Sequence, residues 1–337
     1  MNGRALLAPL TPLYRMGLAL RERRLRSGAN AVQRLRQPVI SVGNLSTGGA
    51  GKTPLTIALA RALVARGFHV DVLSRGYGRT GREAARVRAD GSAEEFGDEP
   101  LLIARAAEVP VYVAPRRYDA GVLAESEARP GAAVHILDDG FQHRQLYRDV
   151  DILLLSRSDL CDRLLPAGNL REPLRALTRA TVVAIPAGDE EVDAYLRRAI
   201  KTGGDSQGPR WSGHVWRLRR HMEVPEVAGP VLAFCGIARP EQFFGGLEAG
   251  GLRLAGRRAF GDHHRYTAAD LGRLAAQAKA AGAAALVTTE KDAVRLIGMD
   301  VPLPLLTAGL RIEIEDEAEA LDWLMGSIGG RVDRAGR

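Results

Sequence analysis

Val39-Ile40-Ser41-Val42-Gly43-Asn44-Leu45-Ser46-Thr47-Gly48-Gly49-Ala50-Gly51-Lys52-Thr53-Pro54 decides how the rest of the chain is read. The apolar run predicts a strand over Val39–Val42. A glycine-rich octet, Ser46–Thr53, follows, and the periodic stretch Leu55–Arg66 predicts a helix. Strand, glycine loop and helix in this order are what a phosphate-binding loop requires. Glycines let backbone N–H groups close round phosphate oxygens at a helix start. Ser46, Thr47, Gly48, Gly49, Ala50, Gly51, Lys52 and Thr53 are then the nucleotide cradle. In it Lys52 reaches the β- and γ-phosphates and the Thr53 hydroxyl sits on Mg²⁺. Pro54 suits the first helical turn, whose N–H groups have no helical partner. Ser46 stands where the common pattern has its first glycine.

Outward from this stretch, apolar runs alternate with helical patterns. Further strands are predicted at His69–Ser74, Val134–Leu137, Asp151–Leu155 and Thr181–Ile185, and further helices at Glu99–Ala107 and Tyr118–Ala128. Continuous Val/Ile/Leu runs separated by helices mean a mostly parallel sheet covered on both faces. The fold class is therefore α/β, a P-loop NTPase-like sheet with a smaller C-terminal α/β domain. The latter contains strands Val231–Cys235 and Ala285–Thr288 and helices Ala268–Ala281 and Glu315–Met325. The divisions read 1–36 as an N-terminal segment, 37–186 as the P-loop domain, 187–230 as a connection, 231–328 as the second unit and 329–337 as a disordered tail. Lys201–Pro209 is turn-rich and fits a loop.

The 337 residues carry a formal charge of +7, and all of it lies in residues 1–36, which hold eight arginines against Glu22 alone. The remainder is neutral. Residues 6–20 are apolar but too short and too broken by proline to span a bilayer. The basic cluster Arg21, Arg23, Arg24 and Arg26 follows the apolar part, opposite to a secretory signal. Apolar residues followed by arginines fit a segment lying in a membrane interface, with arginines on anionic head groups. A helix packed on the protein body fits the same residues. A nucleic-acid arm would leave the apolar half without a role, so no nucleic-acid partner is expected, and no obligate protein partner is inferred. Two cysteines, Cys161 and Cys235, give no disulfide framework.

Ligands of parallel sheets sit at the carboxyl ends of the strands. The phosphate loop, Arg75-Gly76-Tyr77-Gly78-Arg79 and Asp138-Asp139-Gly140 all follow strands at that edge. Val134–Asp139 is an apolar strand ending in two acids. One carboxylate serves the Mg²⁺ shell near Thr53, and the other orients a water or a reacting group. Asp98, in Gly97-Asp98-Glu99-Pro100, fits both a helix start and a base. His263-His264 has no zinc spacing around it. A histidine brought against a carboxylate would form a base dyad.

These stretches, with Leu165-Pro166-Ala167-Gly168-Asn169-Leu170-Arg171-Glu172-Pro173, Phe260–Tyr266 and Thr288-Thr289-Glu290-Lys291-Asp292-Ala293, together resemble the tetraacyldisaccharide 4'-kinase family of lipid A synthesis. The resemblance runs from about residue 6 to 325. Ser46 is that family's own form, and Gly261 stands where it has proline.

The resemblance implies ATP- and Mg²⁺-dependent phosphorylation of the 4'-hydroxyl of tetraacyldisaccharide 1-phosphate, a lipid A precursor. It implies work at the cytoplasmic face of a Gram-negative inner membrane, as a peripheral protein. It makes Asp98 the base or orienting group with His263 as partner, and brings Arg171 and Glu172 to the site. Lys52, Asp139 and Arg171 join them as catalytic, with Thr53, Asp138 and Glu172 on the metal. Asn44, Arg75 and Tyr77 come near the lipid head group. A partitioning ATPase would carry a signature lysine where Thr47 stands, and a GTPase would carry Asn-Lys-x-Asp, absent here.

Overall fold

The computed structural model describes residues 3–27, 31–49, 51–128, 131–201 and 211–335. Ala50, the turn-rich residues 202–209 and the final residues 336–337 lie outside that description.

After helix α1 (Thr11–Arg26), the first half of the chain runs β1 (Val39–Asn44), α2 (Lys52–Ala65), β2 (His69–Ser74), β3 (Ala85–Arg86), α3 (Ala93–Phe96), α4 (Asp98–Ala107), β4 (Val111–Val113), α5 (Arg117–Ser126), β5 (Ala133–Asp138), β6 (Val150–Leu154), α6 (Arg157–Leu160) and β7 (Val182–Pro186). The second runs α7 (Glu190–Lys201), β8 (His214–Glu223), β9 (Val231–Cys235), α8 (Pro240–Ala249), β10 (Leu254–Ala259), α9 (Ala268–Ala280), β11 (Ala285–Thr289), α10 (Glu290–Ala293), β12 (Leu305–Ile314) and α11 (Glu317–Ala335).

All twelve strands form one sheet in the order β10-β9-β11-β12-β8-β7-β6-β1-β5-β2-β4-β3. Strands β8 to β2 are mutually parallel and β12 to β10 are mutually parallel, but β12 pairs with β8 antiparallel. Direction therefore reverses at the β8–β12 seam. Residues 187–230, read as a connection, carry α7 and the ten-residue β8 that joins the two halves. The expected tail is also corrected: α11 continues through Gly329 to Ala335.

Alternation explains the layers. Ile40 and Val42 of β1 and Val134 and Ile136 of β5 meet Leu55, Leu59 and Leu63 of α2 and Leu101 and Ile103 of α4. Val39 and Leu137 face the other way, onto Ala120 and Ala124 of α5. In the second half Val231, Ala233 and Cys235 pack on α8, while Leu232 and Phe234 pack on α9. Each fully buried leucine in these layers contributes about 2 kcal/mol. Both faces are thus covered, and ligand access is left to the strand ends.

Candidate active site

The register of β1 on β5 sets Val42 beside Asp138, so the last acid of β5 lies level with the chain entering the glycine loop. Gly51 takes the left-handed backbone (φ +89°) as the residue before α2, which puts Lys52 on the first helical turn. A Cβ on Gly48 or Gly49 would meet nothing within 4 Å, so the loop encloses open space. The loop rests on the 162–171 segment. Thr47 N–H donates to Asn169 O (2.8 Å), Arg171 N–H donates to Leu45 O (2.7 Å), and Ser46 bridges to Leu170.

Lys52 Nζ donates to Asn44 Oδ1 (3.1 Å) and lies 3.7 Å from Asp139 Oδ1. Arg171 grips Asp139 through both terminal nitrogens (2.9 and 2.7 Å) and also reaches Asn44 Oδ1 (2.5 Å). A bidentate arginine–carboxylate pair of this kind is both strong and directional. Burial alone would raise the Asp139 carboxyl, but Arg171, Lys52 and Arg117 outweigh it and hold Asp139 well below the usual range. Asp138 behaves oppositely. It is 2% exposed and accepts from Thr56 Oγ1 (3.2 Å). Burial, then the neighbouring Glu99 and Asp139 charges, push its carboxyl far above the usual range.

One sequence expectation is corrected here. Asn44 is fully buried, and its side chain holds Lys52, Arg171 and Ser46 Oγ (3.2 Å), so it faces the loop and not a lipid. Glu172 pairs with Arg179 (2.6 Å), whose guanidinium lies over Phe141. Sequence reasoning also missed Arg117. It opens α5 at 8% exposure, close enough to Asp139, Asp138 and Arg75 to feel their charge, and burial lowers its pKa to about 10. The signal was available: Arg116-Arg117 follows β4 at the same sheet edge.

A second cluster comes from α4 and the second half. Gly97 (φ +91°) turns the chain where a Cβ would strike Tyr77 O at 2.9 Å. Asp98 is then the first residue of α4. Its Oδ2 accepts from His263 Nδ1 (2.8 Å) and from Arg295 Nε (2.7 Å). Burial pushes Asp98 up, but the His263 and Arg295 bonds prevail and keep it below the ordinary carboxylate range. His263 is itself held in the left-handed region (φ +57°), which is costly for a non-glycine residue. The histidine pair divides its roles, for His264 stacks on Phe260 and bonds Asp270 (3.2 Å) of the α9 cap. Tyr77 is exposed with its ring 5.8 Å from that of His263, and Arg75 is exposed beside it. Glu99, next to Asp98 in the chain, bonds Lys291 (3.3 Å) and lies near enough to Asp138 for its charge to act there.

Helix α1 lies along the same region. Tyr14 and Leu18 pack on the body, and the Tyr14 hydroxyl donates to Arg171 O (2.8 Å). Arg21 bonds Gln142 O and Glu22 pairs with Arg144. Leu6, Leu10, Leu13, Met16 and Leu20 remain exposed. Among the described residues no helix is long and apolar enough to cross a membrane.

The arrangement offers a phosphate cradle with a lysine, a buried carboxylate, Asp138, beside it and a carboxylate–histidine pair. It is suited to phosphoryl transfer, where positioning and charge neutralisation dominate. The comparisons agree with this chemistry. A family model described as LpxK, tetraacyldisaccharide-1-P 4'-kinase, matches residues 3–328. A tetraacyldisaccharide 4'-kinase of Koribacter versatilis is 43% identical, with 95% of this chain and 98% of the relative covered. One of Parvibaculum lavamentivorans is 40% identical, covering 98% and 94%. A crystal structure of LpxK from Aquifex aeolicus in complex with ATP aligns at a TM-score of 0.74 and 32% identity over 96% of this chain and 99% of that one. On the family model and these relatives, the chain belongs to the tetraacyldisaccharide-1-P 4'-kinase family.

Proposed function

We propose that this kinase moves the γ-phosphate of ATP to the 4'-hydroxyl of tetraacyldisaccharide 1-phosphate through the two clusters above. The observation that carries the reading is their juxtaposition: Lys52 in an open glycine loop on one side, Asp98 with His263 on the other. Lys52 neutralises the β- and γ-phosphates. Arg171 and Arg117 fix Asp139 and add positive charge behind the transferred group. Asp98 orients the acceptor hydroxyl and takes its proton, and Arg75 and Tyr77 flank the sugar head group. Purified protein with γ-labelled ATP and the disaccharide lipid should yield labelled lipid. Label released only as free phosphate, whether or not lipid is present, would refute this assignment.

Asp138 and Thr53 fit a Mg²⁺ ion. A buried carboxylate with a raised pKa is one that a cation would stabilise, and Mg²⁺ on nucleotide phosphates needs only one or two protein oxygens. When bound, Mg²⁺ neutralises charge developing on the β- and γ-phosphate oxygens. Asp138→Asn should raise the Mg²⁺ concentration for half-maximal rate by about 10–100-fold. Asp139→Asn should lower kcat with a smaller change in Mg²⁺ demand, because it chiefly releases Lys52 and Arg171. Magnesium titrations of both variants decide this, and equal metal dependence would place the ion elsewhere.

The bare face of α1 and of the helical turns before it, Gly3–Leu10, fits a membrane interface. Its leucines enter the acyl boundary while arginines meet anionic head groups. Each arginine at such a surface contributes about 1 kcal/mol, and screening reaches about 8 Å at physiological salt. Arg23→Ala with Arg24→Ala should therefore weaken pelleting with anionic vesicles, most at low salt. Leu6, Leu10 and Leu13 to serine should remove the salt-resistant part. Unchanged pelleting after both sets would leave α1 as packing alone.

A further inference from the structure

The stretch Thr288–Arg295 aims two cations, Lys291 and Arg295, at the Asp98–His263 pair. It closes β11 and opens α10. The Thr289 hydroxyl accepts from Asp292 N–H (3.0 Å) and donates to Asp292 Oδ2 (2.6 Å). Asp292 is fully buried and also accepts from Gly236 N–H (3.0 Å), the Tyr266 hydroxyl (3.0 Å) and Arg295 (2.7 Å). Every bond on this carboxylate fixes the next turn of chain. Lys291 and Arg295, four residues apart, share one side of that turn. Lys291 Nζ lies 3.3 Å from His263 Nε2 and 3.3 Å from Glu99 Oε1. Arg295, 5% exposed in its side chain, lies 2.7 and 2.6 Å from Asp98 Oδ2 through Nε and a terminal nitrogen.

An ammonium group has donors and no acceptor. His263 Nε2 can be bonded by Lys291 only if it carries a lone pair. The ring proton then sits on Nδ1, which points at Asp98 Oδ2 at 2.8 Å, nearer than the Arg295 terminal nitrogen at 3.4 Å. A second ring proton would set an imidazolium against both Lys291 and Arg295. The other charged or titratable groups facing the ring are Asp98 and Glu99 of α4, Asp262 (3.9 Å) and Tyr77. The His263 and Arg295 bonds to Asp98 converge on Oδ2 and leave Oδ1 for an acceptor hydroxyl.

We propose that Lys291 and Arg295 are positioning residues that hold His263 as the neutral Nδ1–H tautomer and Asp98 as a carboxylate whose Oδ1 receives the acceptor proton. This rests on the assignment of Asp98 and His263 to the acceptor side. In the transfer, the hydroxyl O–H bond breaks and its proton passes to Asp98 Oδ1. The hydroxyl oxygen bonds to the γ-phosphorus as the bond from that phosphorus to the β–γ bridging oxygen breaks. The bond's electrons leave with ADP. His263 donates throughout and is not itself protonated.

The test uses full-length protein with ¹⁵N-labelled histidine, the His263 signals being assigned by their loss in His263→Gln. The wild-type protein should show a protonated Nδ1 and a bare Nε2. Lys291→Met, at a partly exposed position, should bring in the Nε2–H or doubly protonated ring. It should move the acid limb of kcat/KM to higher pH, because loss of a nearby cation favours the charged imidazole. KM for ATP should not change, and Lys291→Arg, which also only donates, should restore the wild-type profile. A wild-type Nε2–H tautomer would overturn the proposal, as would a Lys291→Met protein with unchanged ring signals and acid limb. Asp98→Asn and His263→Gln, assayed alongside, separate the causes. Wild-type rates in those two would overturn the acceptor-side assignment and the proposal with it. Large losses there with none in Lys291→Met would overturn the positioning role alone.

Discussion

With Lys52 replaced by alanine, the protein should remain folded and lose phosphoryl transfer by on the order of 10³-fold in kcat/KM. The lysine reaches into the open side of the loop, supported by Asn44 and balanced by Asp139. Folding should be little affected, since Asp139 keeps its bidentate bond to Arg171. A loss near 1 kcal/mol would lower Tm by about 2–4 °C. Lys52→Arg should not rescue, because a planar guanidinium does not reproduce a compact point charge in a closed backbone loop. Activity near wild type in a folded Lys52→Ala protein would dismiss the loop as the nucleotide site.

Asp98→Ala should cost about 10²–10⁴-fold in kcat, the span for a positioned proton acceptor. KM for ATP should stay within a few-fold, because none of the Asp98 bonds reaches the glycine loop. The variant should also lose stability, by about 3 kcal/mol, since Arg295 is left buried with one carboxylate partner instead of two. Asp98→Asn, which keeps the volume, separates the chemical loss from this cost. His263→Ala should lower kcat as well. The double variant should be little worse than the poorer single one, as for residues acting as a unit. Fully additive losses would show two independent roles, and a loss of ATP affinity matching the loss of rate would mean that Asp98 only shapes α4.

The strands that sequence reveals are those buried on both faces. Val231–Cys235 coincides with β9, because an unbroken apolar run has one reading when helices flank it. Strands β8, β10 and β12 are half-exposed, and β8 is written His-Val-Trp-Arg-Leu-Arg-Arg-His-Met-Glu, so charged residues hide its alternation. It is β8 that carries the sheet across from the first half to the second. In the site, Lys52, Asp138 and Asp139 announce themselves by position at strand ends. Asn44 and Glu172 share those stretches, yet their side chains are claimed by Lys52, Arg171 and Arg179. Local spacing cannot show which neighbour claims a side chain. Arg295 is read only once distant segments are brought together.

The reversal of strand direction at the β8–β12 seam has a rotational consequence. From β11, which leads into α10, to β5, which ends in Asp138, the sheet takes six strand-to-strand steps. At about 20–25° per step these accumulate roughly 120–150° of twist. The seam adds a half-turn in direction, so the two carboxyl edges come back to within about 30–60° of each other. A flat sheet of the same order would send them to opposite sides, and Asp98 would never meet Arg295. The number of strands between β11 and β5 therefore works as an angular gauge for the acceptor side. Deleting β7 alone would rotate α10 by about 20–25° relative to α4, more than a carboxylate–imidazole bond of 2.8 Å tolerates, even with every residue of the dyad still in the chain.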